Sequence, residues 1–131
     1  MTKADKETFS KVVIQIHMEL GGDAPAEDVT AHLRDGYPDL YQSKSHTGIT
    51  GEVRKVLVAN DPATGLPYSM SIGEGTDKKY RQLELFSVED YIWVITEHMG
   101  KSRQYRSRAK ALAAQCALVH GVELDVDALI A

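Results

Sequence analysis

The sequence predicts an α+β fold in which three helices lead into one β-hairpin. Up to residue 60 the apolar residues recur at helical spacing, whereas between residues 66 and 72 they alternate with serines, as in a strand. With 131 residues, 43% of them hydrophobic, the chain is long enough for one packed domain and too short for two ordinary ones. We therefore expect a single domain, with a core at residues 1–86 and a helical extension at residues 87–131.

The first two helices have recognisable boundaries. One is expected at residues 4–20, ended by Gly21 and Gly22, because glycine accepts the positive φ that is common at helix C-termini. The next begins at Pro25, whose fixed φ suits a first helical turn, and Glu27 favours the helix dipole there.

A third helix and a hairpin follow. The helix is expected at residues 48–60, after a polar segment that offers several N-cap side chains. The hairpin pairs residues 66–72 with residues 78–86 across the glycine-rich turn GEGTD, and Leu83 and Leu85 are expected to face the same side.

The C-terminal part is predicted to be helical. Ser87 and Asp90 resemble a capping box that starts a helix reaching about Met99. A long helix is expected at residues 102–120, and the acidic tail has room for one further turn of helix.

The order of three helices followed by two strands is that of a winged helix, extended here by two C-terminal helices. The runs IHMELGGDAPAEDVTAHL, GEVRKVLVAND and YSMSIGEGTDKKYRQLELF resemble the winged helices attached to bacterial restriction endonucleases and the related HARE-type domains. The matching residues are Gly21, Gly22, Val53, Arg54 and Leu57, with residues 83–86 closing the wing. The resemblance covers about half of the chain and implies the fold and its manner of docking on DNA. Because two helices stand in place of a nuclease domain, it does not imply what the family does with its DNA.

The start of the third helix is the candidate reading surface. His46, Thr47, Thr50 and Arg54 are expected to point outward, opposite the buried residues of that helix, with Lys55 beside them. Arginine pairs bidentately with guanine, and threonine and histidine contact bases or phosphates. The alternative is an ordinary solvated helix face.

The hairpin offers a second group of cations. Lys78, Lys79 and Arg81 lie within four residues and are expected to contact phosphates, which gives affinity without sequence preference. Against this, Glu74 and Asp77 dilute the charge, and lysines on an edge strand commonly protect against aggregation.

A basic segment at residues 101–110 holds five of the fifteen Lys and Arg residues and no acid. Arg103, Arg106 and Lys110 share one helix face, and at a helix N-terminus they oppose the helix dipole. They are expected to form a second phosphate-contacting surface. The alternatives are pairing with an acidic surface, such as the second helix or the tail, and a solvated face with ion pairs.

Catalysis, a metal site and a cofactor are not expected. The five histidines show no ligand spacing, and Cys116, the single cysteine, lies on an apolar stripe and is expected in the core. Glu74, Asp77 and Lys79 resemble the acid–acid–lysine set of a nuclease but lie in a turn, without the strands such a site needs.

Charge and hydropathy limit the classes of function that the chain can have. A net charge of −4 argues against indiscriminate coating of nucleic acid, so a DNA-binding surface has to be a local basic patch. No membrane span or signal peptide is evident, which predicts a cytoplasmic protein.

We expect a sequence-specific double-stranded DNA-binding protein, a transcriptional regulator of bacterial or bacteriophage type. The alternative is a winged-helix module that binds or inhibits another protein, which the acidic charge favours.

A homodimer is expected through the C-terminal helices. Their apolar residues need a partner surface, and a second copy supplies one. These residues are Ile92, Ile95, Leu112, Cys116 and Val119. Packing against the first helix of the same chain is the alternative.

Overall fold

Helices and one small antiparallel sheet make up the α+β structure, as the sequence predicts. The computed structural model describes residues 3–41, 46–75, 78–99 and 106–130, although not the side chains of residues 3, 4, 46, 47, 98 and 99. The chain forms two compact units. Unit 1 consists of Met1–Ala59 and Pro67–Leu83, and unit 2 consists of Asn60–Leu66 and Glu84–Ala131.

Four of the helices in the described residues belong to unit 1. They are α1 (Lys3–Glu19), α2 (Ala26–Gly36), α3 (Pro38–Tyr41) and α4 (His46–Leu57). The first helix ends where the sequence predicts, because Gly21 and Gly22 take φ values of 93° and 71°. The short α3 was not predicted from the sequence; Pro38, whose fixed φ suits a first helical turn, begins it.

The sheet has three strands in the order β1–β3–β2, all antiparallel. They are β1 (Asp23–Ala24), β2 (Ser69–Ile72) and β3 (Lys79–Gln82). The two-residue β1 is too short to show strand alternation, so the sequence did not indicate it. It pairs Asp23 with Arg81 and Ala24 with Tyr80, which ties the hairpin to the connection between α1 and α2.

The core of unit 1 lies where α1, α2 and α4 face one another and the sheet. Its buried residues are Phe9, Val13, Ile16, Ala26, Val29, Leu33, Ile49, Val53, Leu57 and Tyr80. Burial of each large aliphatic side chain stabilises the fold by about 1.5–3 kcal/mol relative to exposure. Ser69 is buried as well, and its hydroxyl donates to the Leu57 carbonyl oxygen at 2.7 Å, which joins the end of α4 to β2.

The return strand is shorter than predicted. It ends at Gln82, and Leu83–Leu85 form a 3₁₀ turn. Leu83 is buried whereas Leu85 is 51% exposed, so the prediction that both face the same side is wrong. Residues two apart share a face in a strand but point apart in a helix of three residues per turn.

Unit 2 contains the C-terminal helices. They are α5 (Val88–Trp93), the π-helical segment Val94–Met99, α6 (Arg106–His120) and α7 (Val126–Leu129). The predicted capping box is confirmed: Asp90 N–H donates to Ser87 Oγ at 3.1 Å, and Ser87 N–H donates to Asp90 Oδ2 at 3.0 Å. The expected turn of helix in the tail is α7, and Asp125 caps it.

The buried residues of unit 2 bear on the expected dimer. Ile95, Leu112 and Cys116 are fully buried within the single chain, so they do not need a second copy to leave water. Val119 differs from them, since it is 51% exposed. The sequence pattern identified the apolar stripe but not what covers it.

Candidate functional site

An open recess in unit 1 brings α4 and the hairpin together. It has a volume of about 400 Å³ and is lined by Pro25, Glu27, Arg54, Gly75, Lys78 and Tyr80. Arg54 comes from the last turns of α4, and Lys78 directly precedes β3. The third side of the recess is the start of α2, where Pro25 is the N-cap residue.

Arg54 is paired inside this recess. Its Nη2 donates to Glu27 Oε1 at 2.7 Å, and the two side chains are 47% and 59% exposed. Burial raises the pKa of the Tyr80 hydroxyl, and the neighbouring Arg54 opposes that rise. The recess therefore holds two cations, one carboxylate and one phenol, and this combination suits a ligand that is anionic and accepts hydrogen bonds. Sequence reasoning found Arg54 and Lys78 but not Glu27 and Tyr80, whose contribution depends on how the elements pack.

Thr50 does not point outward as expected. It is 4% exposed, and its hydroxyl donates to Thr30 Oγ1 at 3.1 Å, while the Thr30 hydroxyl donates to the Ala26 carbonyl oxygen. The reason is helical geometry: Thr50 precedes the buried Val53 by three residues and Leu57 by seven, so all three lie on one face. Thr50 therefore links α4 to α2 and is not available to a base.

The rest of the expected reading surface is only partly described. Lys55 lies on the exposed side of α4, where its Nζ is 3.3 Å from Glu52 Oε1. His46 and Thr47 begin α4, but their side chains lie outside the described residues.

The hairpin cations separate into two kinds. Lys78 and Lys79 are exposed. Arg81 instead donates through Nε and Nη2 to the two carboxylate oxygens of Asp23, at 3.2 and 3.3 Å, and both side chains are about two-thirds buried. This pair lies across the β1–β3 register, so its geometry accounts for Arg81 as a link between strands.

The basic segment is described only from Arg106 onward, and Arg103 lies outside the described residues. Arg106 Nη2 lies 3.8 Å from Asp127 Oδ1 of the acidic tail, which is one of the pairings that the sequence suggested. Arg108 donates to the side-chain oxygen of Asn60, and Lys110 is exposed. Part of the positive charge of α6 is thus engaged within unit 2.

His17 connects α1 to the hairpin and is fully buried. Its Nε2 is 2.6 Å from the Tyr80 carbonyl oxygen, which can only accept, so Nε2 carries the proton. Nδ1, 2.8 Å from the Tyr68 hydroxyl, then accepts from it. Burial lowers the pKa of His17, although the bond to the Tyr80 carbonyl opposes this. The histidine is therefore held neutral, as a structural link between helix and sheet.

Within residues 3–41, 46–75, 78–99 and 106–130, no three His, Cys, Asp or Glu side chains are grouped so that they could hold a metal ion. Of the helices in the same ranges, none combines the length and apolar character needed to cross a membrane.

Comparison with protein-family models, curated proteins and solved structures gives no match.

Proposed function

We propose that unit 1 is a winged helix that binds double-stranded DNA in a sequence-specific way, as a transcriptional regulator of bacterial or bacteriophage type. The observation that carries this proposal is the recess in which Arg54 of α4 and Lys78 of the hairpin lie together. In winged-helix docking the helix enters the major groove and the hairpin touches neighbouring phosphates, so cations on both elements have to face one duplex.

The strand β1 supports the same proposal. A two-stranded hairpin is only marginally stable in water, whereas a third strand and packing on helices fix it in place. Here β1 pairs with β3, and the backbone N–H of Gln82 also donates to the Gly22 carbonyl oxygen at 2.7 Å. The hairpin is thereby held at a fixed position relative to α4, as simultaneous contact with groove and phosphates requires.

Duplex binding as a function of salt tests the proposal. Replacing Lys78 and Lys79 with alanine should weaken binding to all duplexes alike and reduce the slope of log K against log salt by about 1.8, at roughly 0.9 per phosphate contact. The matched control is Lys6→Ala with Lys11→Ala, which removes the same charge from exposed positions of α1. If both double variants change binding equally, or neither does, the hairpin is not at the interface.

Specificity requires a second measurement. Arg54→Ala should cost about 1–3 kcal/mol on the preferred site and much less on random DNA, because arginine reads guanine through two hydrogen bonds. The preferred site is obtained by selection from a random duplex library. If the wild-type chain enriches no motif, it does not read sequence.

A second candidate function is binding to another protein. It is favoured by an apolar recess of about 490 Å³ along α1, to which Ile14 and Met18 contribute, and Met18 is 51% exposed. The net charge of −4 also favours binding to another protein over binding to DNA. Absence of duplex binding at any salt concentration would favour this candidate, and Met18→Asp would then be the variant with which to test a captured partner.

A further inference from the structure

Gly51, which is itself half-buried, lies on the side of α4 that faces away from the core. The fully buried residues Ile49, Val53 and Leu57 point to the opposite side of the helix. A Cβ atom built at Gly51 would meet no atom within 4 Å, so packing within the chain does not require glycine. The backbone there is helical, a conformation that every L-residue except proline adopts readily.

A glycine at such a position weakens the helix. Glycine loses more conformational freedom on folding than alanine does, and in a helix interior it is among the least favourable residues. The remaining physical use of glycine is close approach, since a backbone without a side chain lets another molecule come nearer.

The residues near Gly51 indicate which kind of molecule approaches the helix backbone there. Arg54 and Lys55 follow within about one turn, and their side chains are 47% and 76% exposed. Each of the two cations is paired with one carboxylate, Arg54 with Glu27 and Lys55 with Glu52. Ion pairs this exposed are weak, so a polyanion that lies against the helix backbone can take the place of the carboxylates.

We propose that Gly51 is the point of closest approach between α4 and double-stranded DNA. The missing side chain lets α4 lie deeper in the groove, which brings Arg54 and Lys55 within reach of base edges and phosphates. This inference rests on the proposed function and identifies the contacting face of α4 as the one centred on Gly51 and not on Thr50.

The test is Gly51→Ala, a substitution that we expect to raise stability while it weakens DNA binding. It should raise the melting temperature by a few degrees, because alanine favours the helix. It should also weaken binding to a duplex by about tenfold, as expected when one good contact is lost. Gly51→Gln, with a longer side chain, should weaken binding further while the chain stays folded.

The matched control is Gly36→Ala. Gly36 is the last residue of α2, and a Cβ atom there also meets nothing within 4 Å. This variant should bind the duplex as the wild type does. If Gly51→Ala binds as tightly as the wild type while the Lys78 and Lys79 variant is weakened, the inference is wrong and the proposed function stands. If the wild type binds no duplex, both fail. A lower melting temperature for Gly51→Ala would also overturn the inference, because glycine would then serve the fold.

Discussion

In the proposed function Arg54 carries the charge on which specific binding depends, and the Glu27 carboxylate lies 2.7 Å from its guanidinium. A DNA phosphate bound as proposed would compete with this carboxylate for the N–H donors of the guanidinium. Because the pair is exposed, its contribution is about 0.2–1 kcal/mol, and a phosphate can displace it. We therefore expect Glu27 to weaken the proposed DNA contacts of Arg54 without preventing them.

Glu27→Gln should therefore raise affinity for the preferred duplex by about two- to fivefold. Fluorescence anisotropy at fixed salt measures the change. Asp28→Asn is the control, since Asp28 is the adjacent first-turn acid of α2 and its replacement alters the net charge and the helix dipole equally. Equal gains for both variants would show a general charge effect, without a specific role for the Glu27–Arg54 pair.

His17 makes the stability of unit 1 depend on pH. Because burial lowers its pKa below the ordinary value of 6.5, the unfolded chain binds more protons than the folded chain below that pH. The free energy of unfolding should therefore be highest above pH 6.5 and fall as the pH drops toward the lowered value. Urea unfolding at pH 7.5 and 5.5 measures this. His17→Gln should be less stable at pH 7.5 and show a smaller loss on acidification, and an unchanged loss would assign the effect to other groups.

At the scale of secondary structure, the β1–β3 pairing depends on Asp23 and Arg81. Arg81→Ala removes two hydrogen bonds to a carboxylate that is about two-thirds buried, which should lower the free energy of unfolding by about 1–3 kcal/mol. Lys79→Ala, at an exposed position of the same strand, should change it by less than about 0.5 kcal/mol. Chemical denaturation compares the two, and equal effects would argue against a structural role for Arg81.

Local signals made some elements predictable from the sequence. Gly21 and Gly22 end α1, and Ser87 and Asp90 start α5. Both signals are readable because helix termini depend on residues that are close together in the chain. The two-residue β1 was missed because it exists only through its pairing with β3. Within the site, Arg54 and Lys78 were found as exposed cations, whereas Glu27 joins them only through the packing of α2 on α4.

Assembly of the whole molecule is best tested by two leucines of α6. Leu112 is fully buried, so Leu112→Asp places an unpaired charge in a core and should abolish cooperative unfolding of unit 2. Leu118 is 80% exposed, so Leu118→Asp should leave the fold intact. Light scattering at micromolar concentration on wild type and Leu118→Asp then reports the oligomeric state. A dimeric wild type that Leu118→Asp converts to a monomer would place the interface at the end of α6.

Because the hairpin is attached through β1, we expect its amides to differ in their rates of hydrogen exchange. Tyr80 and Gln82 belong to the strand that pairs on both sides, and their amides should exchange with deuterium only when the core of unit 1 opens. Gly73 and Glu74 lie beyond the paired residues, and their amides should exchange rapidly. Slow exchange at Tyr80 and Gln82 beside fast exchange at Gly73 and Glu74 would show that the paired residues stay in place while the residues just beyond the pairing adjust.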